Sequence, residues 1–352
     1  MLRLSLLCGL ALVLAAPPAS AGDPVGSSRR LAPISADPGF PEGVAVYGPR
    51  VYVAGPATFA SAGLAASRVW VYDLFAGTVI EEIPLEGEDL SADHAASGLA
   101  VDAFGRVYVL TTQLGVVRVT PYGATSQEVY APPLPDLPPC LTDPAPCSPA
   151  PFDAPPLPND IVFDHQGRAY VTDSLQATVW RVPYGGGPAE IWLQDPRFIA
   201  ELGTNGVALS PDGDSLYVGV TGGPGPGAIY QVPLVESPTP ADVTLFHAYD
   251  TADPDGMAFG VSGRLYVTLA FSNALSVLRP DGTEEQRFVG PMASEEGPIP
   301  WDNPAVLAFD WLRRRVYVTN HALLSGDPSS FNLFEIRVGE RGVLPALPLI
   351  WQ

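Results

Sequence analysis

The chain has 352 residues and a net charge of −20, and its 18 basic residues are all arginine, with no lysine. That acidity gives no electrostatic ground for binding nucleic acid or an anionic membrane, and the missing lysine removes Schiff-base chemistry and a lysine general base. With 35 glycines and 40 prolines beside a 47% hydrophobic content, turns and short strands are predicted rather than long helices.

The first 21 residues read as an export signal. Arg3 supplies the positive start, Leu4 to Ala16 an apolar stretch too short to cross a bilayer, and Ala19-Ser20-Ala21 a small-residue cleavage site. Cleavage there would leave residues 22–352 as a secreted or periplasmic chain with no membrane insertion. In that oxidising setting Cys140 and Cys147, seven residues apart in a proline-rich stretch, are expected to form one disulfide. A zinc site would need more Cys or His nearby.

One phrase then recurs six times. A polar residue, usually followed by Gly, opens a short apolar strand; a turn follows, and then an apolar residue with Tyr-Val. The copies begin at Glu42-Gly43, Ser97-Gly98, Asn159-Asp160, Asn205-Gly206 and Asp255-Gly256, and a less regular one begins near Val306. Their tyrosines are Tyr52, Tyr108, Tyr170, Tyr217, Tyr266 and Tyr317, spaced 47 to 62 residues apart. Each phrase predicts a hairpin, and a third strand such as Thr178–Val182 and a weaker fourth are expected after it. That period suits the blades of a propeller, so the chain is predicted to be all-β, a six-bladed β-propeller formed by residues 22–352 as one domain. The 131–158 stretch, proline-rich and disulfide-pinned, is expected to lie over the active face as a lid.

In a propeller the first strand of each blade lines the central channel. The opening slot therefore places Glu42, Ser97, Asn159, Asn205, Asp255 and Ala305 around one axis. Asn, Asp and Ser commonly open turns, which would explain any one position, but Glu is no turn former. Two carboxylates and two carboxamides converging without a cation would bury repelling charge. Glu42, Asn159, Asn205 and Asp255 are therefore candidate ligands of a hard divalent cation, Ca²⁺ first, with Mn²⁺ or Mg²⁺ as alternatives. No His or Cys occupies the ring, which argues against zinc or copper. Residues just after each Tyr-Val should share that face, among them Asp173-Ser174, Thr221-Gly222, Phe271-Ser272-Asn273 and Asn320-His321. His321 is the histidine expected at the site; His94 is expected in a loop, His165 at the opposite end and His247 on an outer strand.

These segments resemble the senescence marker protein/gluconolactonase (regucalcin-like) family and, more distantly, the paraoxonases and diisopropyl fluorophosphatase. The resemblance rests on Pro41-Glu42-Gly43, Pro158-Asn159-Asp160 with Asp164 and Gly167-Arg168, Thr204-Asn205-Gly206 with Ser210-Pro211-Asp212-Gly213, and Pro254-Asp255-Gly256-Met257. It implies a propeller holding Ca²⁺ at Glu42, Asn159, Asn205 and Asp255, with Asn159 a looser, substrate-side ligand and Asp255 a general base or nucleophile. It also implies hydrolysis of a small-molecule lactone or ester. Leu157 stands where sugar-acid lactonases often carry Arg, and Ser97 where paraoxonases carry His. A monomeric metal-dependent hydrolase is thus the expected function, with Asp255, Asn159 and His321 as catalytic candidates. The alternative is a non-catalytic ligand- or protein-binding propeller with a structural Ca²⁺.

Overall fold

The computed structural model describes residues 23–102, 104–121, 126–141, 145–222, 226–290 and 300–344; the export signal lies outside them. These residues form six four-stranded antiparallel sheets arranged as the blades of a propeller. The innermost strands are Val44–Tyr47, Ala96–Val101, Pro158–Phe163, Gly203–Leu209, Pro254–Phe259 and Pro304–Asp310. Each contacts the innermost strands of both neighbouring blades, so the ring is closed.

Blade 6 departs from the simple repeat. Its outermost strand does not follow the sixth phrase but comes from the N-terminus: Ser28–Pro33 pairs antiparallel with Asn332–Arg337. Joining the two ends of the chain in one sheet closes the ring without an open seam, which removes an edge that would otherwise invite pairing with another chain.

The tyrosine of each phrase has one task. Each sits in a different one of six apolar clusters between adjacent blades: Tyr52 beside Leu99, Tyr108 beside Ile161, Tyr170 beside Val207, Tyr217 beside Met257, Tyr266 beside Leu307 and Tyr317 beside Val44. An aromatic ring supplies a large apolar area to each seam while its hydroxyl stays near a polar partner. Tyr108 and Tyr170 donate to Asp102 and Asp164 at 3.0 and 3.3 Å. Asp164 also pairs with Arg168 at 2.7 Å. That part of the phrase therefore braces a hairpin turn.

Near the axis the phrase is shaped by crowding. In five inner strands the pairing register slips by one residue at the slot, between Ala96 and Leu99, Pro158 and Ile161, Thr204 and Val207, Pro254 and Met257, and Pro304 and Leu307. Such a bulge bends the strand and re-aims the side chain at the slip. The glycine after the slot allows the neighbouring strand to come close. A Cβ on Gly206 would stand 2.0 Å from the Asp255 carbonyl oxygen, and one on Gly43 2.4 Å from that of Ser97. Blade 3 has Asp160 there instead. Its carboxylate accepts the N–H groups of Ile161 at 2.8 Å and Val207 at 2.9 Å, linking blades 3 and 4.

Candidate metal centre

One end of the axis holds a cavity of about 100 Å³ bordered by Glu42, Ser97, Asn159, Asn205, Asp255 and His321. All four candidate ligands therefore reach a common space from blades 1, 3, 4 and 5. Ser97 borders it too, but its hydroxyl donates to the Pro158 carbonyl at 2.7 Å. Ala305 is buried outside the cavity, and blade 6 contributes Asn303 and His321 instead.

The backbone under these side chains is fixed by hydroxyls from the preceding blade. Thr172 donates to the Asn205 carbonyl at 2.6 Å, and Thr319 to that of Glu42. With the carbonyl held, the slot side chain is left pointing at the axis. Directly beneath lies a layer of six buried apolar residues, one from each blade: Val44, Leu99, Ile161, Val207, Met257 and Leu307. A larger cavity of about 370 Å³ lies beyond this layer, toward the opposite end of the axis, and none of the four candidate ligands borders it. The layer keeps water from reaching the polar cluster from below.

Glu42 Oε2, Asn159 Oδ1, Asn205 Oδ1 and Asp255 Oδ1 are buried and make no hydrogen bond. Glu42 Oε2 lies 2.6 Å from His321 Nδ1, an ion-pair contact, and His321 Nε2 has no partner. Buried polar atoms in a finished protein nearly always find partners, so three unpaired oxygens facing one cavity, beside a fourth met only by an imidazole, need an explanation. Their chemistry fits a hard divalent cation: all are oxygens, two carboxylates match a double positive charge, and two carboxamides add donors without adding repulsion. Among the described residues no group of three or more His, Cys, Asp or Glu is arranged to hold a metal, and two of the four candidate ligands here are carboxamides, outside that set.

Electrostatics point the same way. Burial pushes the Asp255 carboxyl well above its ordinary range, and repulsion from Glu42, Asp160 and Asp253 adds to it. Burial likewise pushes Asp160 up to about 7, against the two N–H groups that favour its charge. Asp253, two residues before the slot, is pushed to about 6, again mainly by burial. Of these three carboxyls only Asp255 borders the cavity, where a cation would offset the cost of burying its charge.

His321 is held by its surroundings. Its N–H donates to the Asn303 carbonyl at 2.9 Å, and the Phe40 ring stands edge-on at 6.1 Å. Asn303 and Ala322, beside it, adopt left-handed backbone angles of φ 52° and 54°. Such strain gathers where a side chain must be aimed. The other histidines lie elsewhere. His94 is buried between the carbonyls of Ala92 and Ala65, at 3.1 Å each, and His247 sits on an outer strand bonded to the Gly282 carbonyl at 2.8 Å. His165 borders the larger cavity.

Of the other residues placed on this face by sequence, Ser174, Thr221 and Phe271 border the cavity, and Asp173 does not. Asp173 instead braces the 131–158 segment: it accepts the Leu157 N–H at 3.0 Å and the Gln176 amide at 2.6 Å. Gln176 in turn accepts the Leu137 N–H at 2.6 Å. Cys140 and Cys147 are disulfide-bonded, and Leu134 and Leu137 pack into the seam between blades 2 and 3. Of the described part of this segment, Leu157 and Pro158 border the cavity. Sequence reasoning missed Asp160, Asn303 and Phe59. Asp160 alone left a signal, as an acidic residue at a position that is Gly in four of the six phrases.

A family model described as the SMP-30/gluconolactonase/LRE-like region matches residues 153–319. No curated protein sequence matches the chain. Among solved structures it is similar to a calcium-binding protein, regucalcin, from Agrobacterium tumefaciens, with 14% identity, 93% of this chain and 98% of that one covered, and a TM-score of 0.61. A gluconolactonase from Xanthomonas campestris is similar at 18% identity, with 88% and 89% covered and a TM-score of 0.57. A streptogramin B lyase is similar at 14% identity, with 88% and 97% covered and a TM-score of 0.55. At such identities the likeness is one of fold. The chain resembles the SMP-30/gluconolactonase/LRE-like family, whose region it carries from just before blade 3 to the second strand of blade 6.

Proposed function

We propose that this protein is an exported hydrolase of lactones or related esters that depends on a divalent cation, Ca²⁺ foremost. The observation that carries the reading is the set of buried oxygens of Glu42, Asn159, Asn205 and Asp255 around one cavity, the last three unpaired and the first met only by His321. These four residues would hold the ion, which when bound supplies Lewis acidity toward a carbonyl oxygen. Asp255 would take a proton from the attacking water or attack the carbonyl carbon itself, through the carboxylate oxygen that does not hold the ion. The Asn159 side chain would orient the substrate oxygen. His321 would hold Glu42 in place, and the apolar layer below would exclude bulk water. Export is supported by the signal-like N-terminus and by the Cys140–Cys147 disulfide.

A second reading has its own support: among the described residues no arginine borders the cavity and His321 is its single histidine, which also suits a binding propeller with a structural ion. Assay of purified protein on a lactone and aryl-ester panel, with and without chelator and beside elemental analysis, separates the two. Hydrolysis lost on chelation supports the enzyme. Bound calcium without any hydrolysis would leave the binding propeller.

A further inference from the structure

The cavity has a polar floor and walls that offer little to a polyhydroxylated molecule. Phe59, Leu157, Leu202, Ala270, Phe271 and Leu323 face it with carbon. The polar side chains on the walls have their hydroxyl protons already committed to main-chain carbonyls. Ser97 donates to Pro158 at 2.7 Å, Ser174 to Thr204 at 2.7 Å, Thr221 to Pro254 at 2.5 Å and Thr58 to Phe59 at 3.3 Å. Asn303 is occupied at both ends: its oxygen accepts the Leu324 N–H at 3.1 Å, and its amide reaches the Ala270 carbonyl at 3.5 Å. Among the described residues no arginine borders the space to meet a carboxylate or a sugar hydroxyl.

We infer that the substrate is an uncharged lactone or ester bearing an alkyl or aryl arm, not a sugar lactone. The carbonyl would lie on the floor between Asn159 and Asp255, and the arm would lie against Leu157, Phe59 and Phe271. A sugar ring in the same place would bring several hydroxyls out of water against carbon and against hydroxyls whose protons are already in use, with His321 Nε2 able to meet only one of them, which is costly for each group left unpaired. Burial of an alkyl arm is favourable over the same surface. Leu157 is the specificity-determining residue, because its main chain is tied to Asp173 and its side chain cannot leave the wall by loop movement alone.

The inference rests on the proposed hydrolysis for its chemistry, but not for the preference of the pocket, so two measurements are paired. In the first, the calcium-loaded protein is given γ-octalactone and glucono-δ-lactone. A preference of about 100-fold in kcat/KM for the alkyl lactone is expected. Leu157→Arg should cut that preference at least about tenfold while calcium content stays unchanged. Equal or better turnover of the sugar lactone overturns the inference. In the second, calorimetry follows binding of 2-pentylcyclopentanone and of gluconolactam, two carbonyl analogues that the protein cannot open. Should no lactone be hydrolysed, the hydrolase reading falls and binding decides the pocket: the ketone alone binding upholds the inference, and the lactam binding as tightly, or neither binding, overturns it.

Discussion

Asp255→Asn keeps the shape of the side chain and removes one charge, so it tests whether the cavity is built around a cation. In the cation-free protein the Asp255 carboxyl is held above its unfolded value of about 3.9, chiefly by burial. The folded state then holds a proton that the unfolded chain gives up above about pH 4. Stability must therefore fall as pH rises, at up to roughly 1.4 kcal/mol per pH unit for each such group. Asp160, pushed up to about 7, contributes the same slope from about pH 4 to 7, on the order of 4 kcal/mol in all. The substitution removes the Asp255 share and leaves that of Asp160. Comparing the two proteins cancels the other titrating groups. With chelator present at pH 7, the variant should melt a few degrees above the parent, taking about 2 °C per kcal/mol for a chain of this length. Calcium at about 100 times its dissociation constant should add roughly 2.7 kcal/mol to the parent and far less to the variant. Scanning calorimetry from pH 4.5 to 7.5, with and without calcium, measures both effects. A variant that melts below the parent in chelator, with an unchanged pH slope, refutes the reasoning.

Gly206→Ala would bring a methyl group to 2.0 Å from the Asp255 carbonyl oxygen, so blades 4 and 5 must part by more than an ångström. A loss of about 1–3 kcal/mol in stability is expected, with weaker calcium binding by calorimetry. Thr319→Val removes the hydroxyl that holds the Glu42 carbonyl; about 1 kcal/mol of stability should go, and calcium affinity should fall several-fold. Replacing Cys140 and Cys147 by Ser should cost no more than about 2.5 kcal/mol, because the loop they close is short. Calcium-dependent melting should survive that change, since Gln176 still holds the segment at Leu137 and Ser148.

The fold was legible because it repeats. Each phrase carries a Tyr that fills a seam and a slot residue near the axis, and six copies at blade-length spacing leave little room for another architecture. The donated strand Ser28–Pro33 was not legible, because it has no phrase and its partner lies some 300 residues away in sequence. At the site, slot position alone identified Glu42, Asn159, Asn205 and Asp255. It could not reveal that Asp173, placed on the same face by the same rule, turns away to brace the Leu157 segment. Strand direction gives the face a residue is on; only its neighbours decide where the side chain points. Asn303 escaped for a related reason: counting back from Tyr317 leads to Ala305, and the residue that borders the cavity precedes the bulge.

The six slots are not used evenly, and the unevenness has a physical sense. Asn159, Asn205 and Asp255 come from consecutive blades and form an arc, while Glu42 faces them from blade 1. The two slots that flank Glu42, Ser97 and Ala305, carry no carboxylate or carboxamide. A complete ring of carboxylates would bring more negative charge than one divalent ion can offset, whereas this set brings two charges and two neutral oxygens. The gap at blade 6 is filled from its loop by His321, whose ring stands 2.6 Å from Glu42 Oε2. Glu42 is the candidate ligand whose two neighbouring slots carry no carboxylate or carboxamide, and it is also the one with a lateral contact, from His321. The histidine therefore gives Glu42 a lateral contact from the blade 6 loop. Its removal should loosen Glu42 specifically, and leave the Asn159–Asp255 arc as it is.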